Sequence, residues 1–296
     1  MSQTLFISVD GGATKCIVRV ENEAGELLGR ATGGPANIRL SVQQTWTSIL
    51  TALDTISHTH DISLSQYQLH AGMGLAGCED KAAYQNFIQH KHAFHRLVVS
   101  SDSHAACLAA HQGNDGAIII AGTGVAGYQT EAGNVSTVSG WGFPHDDEGS
   151  GAWMGLEAVK LTLKWLDGRA QESSMTKAIY AYFQQDAGKL LQWANSANST
   201  GYAELAPIII QQSQQGDEPA TTILKRAAKA IDHIGETLFA KQRNQHHPLP
   251  CSLIGGVTTY IEPYLSQSLR SRLHPCYATP EVGAMMLVRD EIRESK

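Results

Sequence analysis

Apolar and polar positions in this chain follow two different periods, and the shorter period appears in two groups of segments. Short apolar runs that end at glycine, and stretches that alternate apolar and polar residues, are typical of buried and half-buried strands. Such segments occupy 4–10, 16–21 and 27–31, and again 116–121, 127–130 and 135–138. Tight turns separate them, so the sequence predicts a three-stranded meander at two places.

The longer period, with apolar residues three or four positions apart, predicts helices in much of the remaining chain. These helices cover 41–58, 80–94, 103–111, most of 148–244, 263–273 and 281–294. Further strands are predicted at 67–76, 96–100 and 251–254. A meander followed by α/β crossovers, present twice, indicates a duplicated α/β fold with mixed sheets. Two packed lobes are expected, with the cleft between them as the default ligand site.

Composition and charge narrow the classes of function. The chain has 296 residues, of which 42% are hydrophobic, so disorder is excluded as its main description. Neither an apolar stretch long enough to span a membrane nor a signal-peptide pattern is present. The net charge is −6 and Lys and Arg are not clustered, which argues against an extended nucleic-acid surface. We expect a cytoplasmic protein that binds neither membranes nor nucleic acid and that binds anions only at a local site.

The first of three glycine-containing turns has the chemistry of a phosphate site. Residues 10–15 (DGGATK) directly follow the first strand. Glycines let the backbone approach a phosphate, and successive N–H groups can form an anion nest. Asp10 can position Mg²⁺ through water, while Thr14 and Lys15 offer a hydroxyl and a cation. The spacing differs from that of a P-loop, and an ordinary hairpin turn fits the same residues.

The other two turns follow strands in the second half of the chain. Residues 121–124 (AGTG) occupy the place that matches the first turn, so two hairpins can clamp one polyphosphate. Gly255 and Gly256 end the strand at 251–254 and are predicted to open a helix, whose N-terminus would suit a nucleotide. Either turn alone also fits an ordinary connection.

Three further features suggest a reaction on a carbohydrate. Asp102 ends a strand just before a helix, where it can act as an N-cap or as a general base for a hydroxyl. Residues 140–151 combine four glycines, two aromatics, three carboxylates and a histidine, a mixture that suits sugar C–H groups and hydroxyls. A metal site at 145–147 is less favoured, because adjacent residues rarely point at one ion. Asn37 is a loop amide that also fits a simple turn.

Taken together, these segments resemble a known family. The motifs DGGATK, PANI, SSDSHAA, AGTG, SGWGFPHDDEGSGAW, QQGDEPA, IGG and PEVGA occur in that order along almost the whole chain. They are similar to the group that joins N-acetylglucosamine and glucosamine kinases with the BadF/BadG/BcrA/BcrD ATPases, in the superfamily of actin and sugar kinases. The resemblance implies a two-lobed, duplicated ribonuclease H-like (actin-like ATPase) fold with mixed five-stranded sheets and an interlobe cleft. The lobes would comprise 1–113 plus 281–296, and 114–280.

The resemblance also implies roles for individual residues. The positions matched to ATP are Asp10, Gly11, Gly12, Thr14, Gly122, Thr123, Gly124, Ser213, Gly255 and Gly256. The positions matched to the amino sugar are Asn37, Gly140, Trp141, Gly142 and Asp147, and Asp102 matches the base that deprotonates the sugar hydroxyl. The implied reaction transfers the γ-phosphoryl group of ATP, with Mg²⁺, to the 6-hydroxyl. Ala13, Val125 and Gly256 depart from residues common in the family, and none of them removes a reacting group.

Several alternatives remain open at this point. Trp141, Phe143 and Asn37 suit the acetamide of N-acetylglucosamine, which is placed first, whereas the carboxylates at 146–148 suit the amine of glucosamine. N-acetylmuramic acid is a third option. An ATPase that activates a radical dehydratase would need clustered thiolates, and the five cysteines are scattered. The expected partners are ATP and the amino sugar, with a homodimer as a possible assembly.

Overall fold

The computed structural model of the protein describes residues 3–295, which form two compact units. The first unit contains the described chain up to Asp115 and again from Cys276 onward, and the second is Gly116–Pro275. Each unit has its own mixed sheet, so the predicted duplication of an α/β pattern is confirmed.

The first unit is built on a five-stranded sheet in the order β3-β2-β1-β4-β5. Its strands are β1 (Thr4–Gly11), β2 (Cys16–Asn22), β3 (Leu27–Gly33), β4 (Gln68–Leu75) and β5 (Arg96–Ser101). The first three form the predicted antiparallel meander, and β4 lies parallel to both β1 and β5. Leu5, Ile7 and Val9 of the central strand are buried, which explains the apolar run at the start of the chain.

Three helices of the first unit begin at side-chain caps. They are α1 (Val42–His60), α2 (Lys81–Ile88) and α3 (Asp102–Ala110). Ser41 caps α1 by accepting a hydrogen bond from the amide of Gln44, and Asp80 caps α2. The ring of Trp46 in α1 stacks on Phe87 in α2, with 4.5 Å between the ring centres, so these two helices share one apolar cluster.

The prediction of a helix over 80–94 is wrong beyond Ile88. The chain leaves the helix there, yet Phe94 remains buried and lies 6.1 Å from Trp46 between ring centres. The amide of His95 donates to the carbonyl of Leu69 at 2.7 Å. Tertiary packing therefore satisfies the apolar position that looked like a continuation of the helix.

The sheet of the second unit has four strands, one fewer than expected. They are β6 (Gly116–Ala121), β7 (Val125–Glu131), β8 (Asn134–Ser139) and β9 (Cys251–Ile254), in the order β8-β7-β6-β9. A single parallel bridge between Cys251 and Leu273 stands where a fifth strand would lie beside β9. Pro275 follows two residues later and has no amide hydrogen to extend the ladder, so the pairing stops there.

Eight α-helices follow the second meander within the second unit, all of whose residues the structure describes. They are α4 (Gly151–Leu166), α5 (Ser174–Tyr182), α6 (Ala187–Ser196), α7 (Ser199–Ala203), α8 (Ala206–Gln214), α9 (Glu218–Ala240), α10 (Thr258–Ile261) and α11 (Gln267–Arg270). The single helix predicted over 263–273 is wrong. The amide of Ser266 bonds to Asp232 of α9 at 2.9 Å, and the Ser266 side chain caps α11, so a new helix starts inside that segment.

The last helix, α12 (Pro280–Glu294), belongs to the first unit and contacts β1, β4 and α3. It lies so close that a side chain on Gly283 would overlap the carbonyl oxygen of Ala105. A side chain on Gly72 would in the same way overlap the carbonyl oxygen of Ala284. Backbone therefore packs directly on backbone at two points of this helix. Among residues 3–295, no helix is long and apolar enough to cross a membrane.

Candidate active site

The first glycine-containing turn joins β1 to β2. The amide of Gly12 donates to the carbonyl of Lys15 at 3.0 Å, and the carbonyl of Gly12 accepts from Ala36 at 2.9 Å. Thr14 and Lys15 are exposed at the tip. A Cβ atom on Gly11 would lie 2.5 Å from Cδ2 of Leu75, so only glycine fits this position without a shift. Ala13 does not adopt a positive φ, and its methyl group is therefore compatible with the turn.

Asp10, at the end of β1, carries a carboxyl group in an unfavourable place for negative charge. Burial, and then the carboxylates of Asp102 and Glu281, raise its pKa to about 6, while Lys15 and Arg30 oppose the shift. A divalent cation bound there would offset this excess of negative charge, so the residue fits a site for Mg²⁺. Within residues 3–295, no three His, Cys, Asp or Glu side chains converge on one point.

Asp102 is the first residue of α3, but it does not cap the helix. Ser101 is the cap, since its Oγ accepts a hydrogen bond from the amide of His104 at 3.1 Å. Oδ1 of Asp102 accepts from the amide of Ser103 at 2.8 Å and from its hydroxyl at 3.3 Å. Oδ2 accepts no hydrogen bond from another residue in the described part of the chain. The residue therefore keeps one carboxylate oxygen available to a ligand.

The surroundings of Asp102 make it a stronger base than an exposed aspartate. Burial raises the pKa of this carboxyl group, the hydrogen bonds from Ser103 lower it, and the charge of Glu79 raises it. Behind it, the hydroxyl of Ser100 and Nδ1 of His104 are 2.8 Å apart, and the thiol of Cys78 donates to the carbonyl of Ser100. These contacts fix the end of β5 and the start of α3.

Asn37 lies in the loop after β3 and makes a local turn. Its Oδ1 accepts a hydrogen bond from the amide of Arg39 at 3.0 Å, and its backbone pairs with Ala76. Its amide nitrogen donates to no partner in the part of the chain that the structure describes. Asn37 is thus both a turn residue and a group with a free donor.

The second glycine-containing turn, 122–124, is anchored to the beginning of α4. The carbonyl of Gly122 accepts from Gly151 at 2.8 Å, and that of Thr123 accepts from Ala152 at 3.1 Å. Asp147 also holds this turn, because its Oδ1 accepts from the amide of Val125 at 3.0 Å. Its side chain is only 4% exposed, and burial raises its pKa.

The segment around Gly140 and Gly142 divides its polar groups between two places. Asp147 faces Gly124, where an added Cβ atom would be 3.1 Å from its Oδ1. Asp146 instead accepts from the hydroxyl of Ser139 at 2.8 Å and from the amide of Trp141 at 2.9 Å. The ring of Trp141 is 87% exposed. It lines a pocket of about 750 Å³ together with Arg226 and Lys229 of α9, and Asp147 does not line that pocket. The structure therefore does not bring the Trp141 ring together with Asp147.

The third turn opens a helix, as expected, but the helix is short. α10 has only four residues, and Val257 before it has no side-chain cap, so a helix N-terminus adds little here. Gly255 adopts φ +121°, and a Cβ atom there would overlap the carbonyl oxygen of Ala121 at the end of β6. Gly256 faces open space. The turn brings the ends of β6 and β9 into contact.

A pocket of about 600 Å³ adjoins the second and third turns. Gly122, Thr123 and Gly256 line it, as do residues of α7 and α8 that sequence reasoning missed: Ala203, Ala206, Pro207, Ile210, Gln211 and Gln214. Ser213 is on α8 but does not line the pocket, and its hydroxyl lies 2.9 Å from that of Thr221. Pro207, Gln211 and Gln214 are spaced so that they lie on one face of a helix. This spacing is the feature of the sequence that could have indicated that they line a common surface.

Three of the similar proteins found by comparison are named as kinases of amino sugars. A glucosamine kinase of Vibrio cholerae is 31% identical over 95% of this chain and 94% of its own length. An N-acetylmuramic acid/N-acetylglucosamine kinase of Clostridium acetobutylicum is 24% identical over 96% of this chain and 98% of its own. A solved structure of a candidate N-acetylglucosamine kinase from Chromobacterium violaceum has a TM-score of 0.90 at 28% identity, covering 97% of this chain and all of that one.

The model of one protein family matches residues 7–288, which is nearly the whole chain. The match spans both sheets and all three glycine-containing turns, and it agrees with the resemblance carried by the motifs. The chain belongs to the BadF/BadG/BcrA/BcrD ATPase family.

Proposed function

We propose that the protein is an amino-sugar kinase that transfers the γ-phosphoryl group of ATP to the 6-hydroxyl of N-acetylglucosamine. The observation that carries the proposal concerns Asp102: Ser101 takes the capping role, and Oδ2 of Asp102 accepts no hydrogen bond from any other described residue. Family membership and the names of the relatives support the same reaction class.

In this proposal Asp102 accepts the proton of the attacking sugar hydroxyl. Its raised pKa brings the carboxylate closer to the proton affinity that a base needs near neutral pH. The hydrogen bonds from Ser103 hold Oδ1, so Oδ2 is the oxygen that takes the proton. Positioned general bases contribute about 10²–10⁴-fold to rate.

The phosphates of ATP would contact the two hairpin turns. Gly11, Gly12 and the turn at 122–124 offer backbone amides at close approach, while Thr14 and Lys15 add a hydroxyl and a cation. Asp10 would hold Mg²⁺ through water, and the cation would neutralise charge on the transferring group. Gly255, Gly256 and Ser213 belong to the proposed nucleoside side, with Ser213 acting through α8 and not by direct contact.

Asn37, Asp147 and the backbone at 140–142 are the proposed sugar contacts. Glucosamine is the second candidate substrate, because the Vibrio cholerae relative is named a glucosamine kinase. The separation of the Trp141 ring from Asp147 removes one argument for an aromatic wall against an acetamide. Because Asp146 is already bonded to Ser139 and Trp141, it is a poor partner for a sugar amine.

A coupled assay of ADP release with ATP and Mg²⁺ tests the proposal. N-acetylglucosamine, glucosamine, N-acetylmuramic acid and glucose are compared by kcat/KM. We expect sugar-dependent turnover that is highest with N-acetylglucosamine and that falls by about 10²–10⁴-fold in Asp102→Asn. ADP affinity, measured by calorimetry, should be nearly unchanged in that variant. Slow ATP hydrolysis that no sugar stimulates would overturn the kinase proposal.

A further inference from the structure

The pocket beside Gly122 and Gly256 has two kinds of surface. Ala203, Ala206 and Ile210 give it an apolar wall, and the glutamines at 211 and 214 give it neutral polar groups. No charged side chain lines it among the residues that the structure describes. A flat aromatic base fits such a wall, and the ligand must then be recognised without ion pairs.

Gln211 and Gln214 are available for recognition. Both lie on α8, three positions apart, so their side chains share one face of the helix. Both are exposed. Within residues 3–295 neither amide group makes a hydrogen bond to the protein, although other glutamines, such as Gln242, do. Two unpartnered amides therefore lie beside one apolar pocket.

We propose that Gln211 and Gln214 read the edge of the nucleotide base and that they accept adenine and guanine alike. The inference rests on the proposed function only in requiring that this pocket holds the base of the phosphoryl donor. The base edge of adenine offers an amino donor next to a ring-nitrogen acceptor, and guanine offers the reverse order, a carbonyl acceptor next to an N–H donor. A glutamine amide carries one acceptor oxygen and one NH₂ group, and rotation by about 180° exchanges them.

A pocket of this kind should discriminate between purines and pyrimidines more strongly, in binding affinity, than between adenine and guanine. A pyrimidine lacks the second ring that would lie on the wall of Ala203, Ala206 and Ile210, and the loss of a single methylene group from an apolar pocket already costs about 10–200-fold. Either purine can satisfy the amides, so neither leaves a polar group unpaired. The protein is therefore inferred to use both ATP and GTP as donors.

Titration calorimetry with ADP, GDP and CDP in the presence of Mg²⁺ and without sugar tests the inference. We expect ADP and GDP to bind within about tenfold of each other and CDP at least about tenfold more weakly than either. Gln211→Glu and Gln214→Glu replace an amide with a carboxylate, which only accepts and so favours the N–H groups of guanine. At least one of these variants should shift the ratio of affinities toward GDP by about tenfold or more.

Gln215→Glu is the matched control, because Gln215 is an exposed neighbour that carries the same change of charge but does not line the pocket. A wild-type preference for ADP of more than about a hundredfold would overturn the inference. So would equal ratios in all three variants, or the absence of nucleotide binding. Binding in the expected order without phosphorylation of any amino sugar would instead overturn the proposed function, and recognition of both purine bases by Gln211 and Gln214 would still stand.

Discussion

Arg30 on the edge strand β3 donates from Nε to Oε1 of Glu281 at 2.9 Å, and this ion pair ties the meander to the first turn of α12. Glu281 is only 2% exposed, whereas the arginine side chain is 46% exposed. The two groups have opposite effects on the pKa of Asp10, which Glu281 raises and Arg30 lowers. The pair therefore joins the stability of the first unit to the charge at its proposed metal site.

Arg30→Ala should destabilise the protein because it leaves the carboxylate of Glu281 buried without its partner. Loss of a partner to a buried polar or charged group costs about 1–3 kcal/mol, and the exposure of Arg30 places the expected value in the lower half of that range. Urea unfolding measures the effect. The double variant with Glu281→Gln should recover part of the loss, and additive effects of the two changes would show that the pair makes no net contribution.

Asp10→Asn should stabilise the protein in the absence of nucleotide and metal while it abolishes kinase activity. The pKa of this carboxyl group is about 6 in the folded protein and near 3.8 in an unfolded chain, so the folded state holds the proton more tightly. Asp10 therefore costs no stability below pH 3.8, costs progressively more as the pH rises to about 6, and costs a constant amount above it.

The gain from Asp10→Asn is at most about 3 kcal/mol, since one pKa unit corresponds to 1.36 kcal/mol. Thermal unfolding at several pH values is the measurement, with each kcal/mol raising the Tm by about 2–4 °C. An equal Tm difference at pH 4 and pH 7 would contradict the ionisation argument.

Ser103→Ala should move the acid limb of the pH–activity profile to higher pH. The hydroxyl and amide of Ser103 both stabilise the ionised form of Asp102, and the variant removes only the hydroxyl. Because Asp102, as the proposed base, must be ionised to accept a proton, the fall in kcat/KM on acidification should begin at a higher pH in the variant. Activity on the alkaline plateau should be nearly retained. An unchanged acid limb would remove Asp102 as the group responsible for it.

Gly255→Ala and Gly256→Ala form a matched pair in one turn. Alanine at 255 is strained by φ +121° and overlaps Ala121, so we expect a loss of at least about 2 kcal/mol and weaker nucleotide binding. Alanine at 256 meets open space, and its Tm should lie close to that of the parent. The comparison uses thermal unfolding of both variants under one condition. Equal Tm values would show that backbone strain at 255 is relieved elsewhere.

Local sequence patterns predicted most of the fold, because strands and turns near each other in the chain depend on local period and on glycine. The meanders and β9 are examples. The end of α2 and the start of α11 could not be predicted in this way, since Phe94 is buried against Trp46 and Ser266 bonds to Asp232, residues distant in sequence. Long-range packing decided both boundaries.

The candidate site shows the same division. The glycine-containing turns and Asp102 stood out because their residue types are unusual at strand ends. The glutamines of α8 did not, since a polar helix face looks the same whether it meets solvent or a ligand. The sequence also did not indicate that the side chains of Asp146 and Asp147 point to different places, because their directions depend on the positive φ of Asp147.

The late position of α12 in the chain has a consequence for synthesis on the ribosome. Met285 and Val288 cover Phe6, which is translated before the second unit, yet they are themselves translated only after all of that unit. The first unit therefore cannot complete its fold until the second unit and then α12 have been translated, and part of its apolar sheet stays uncovered until then. The half that is made later can complete its fold earlier, and chaperones that hold exposed apolar strands would act on the half made first.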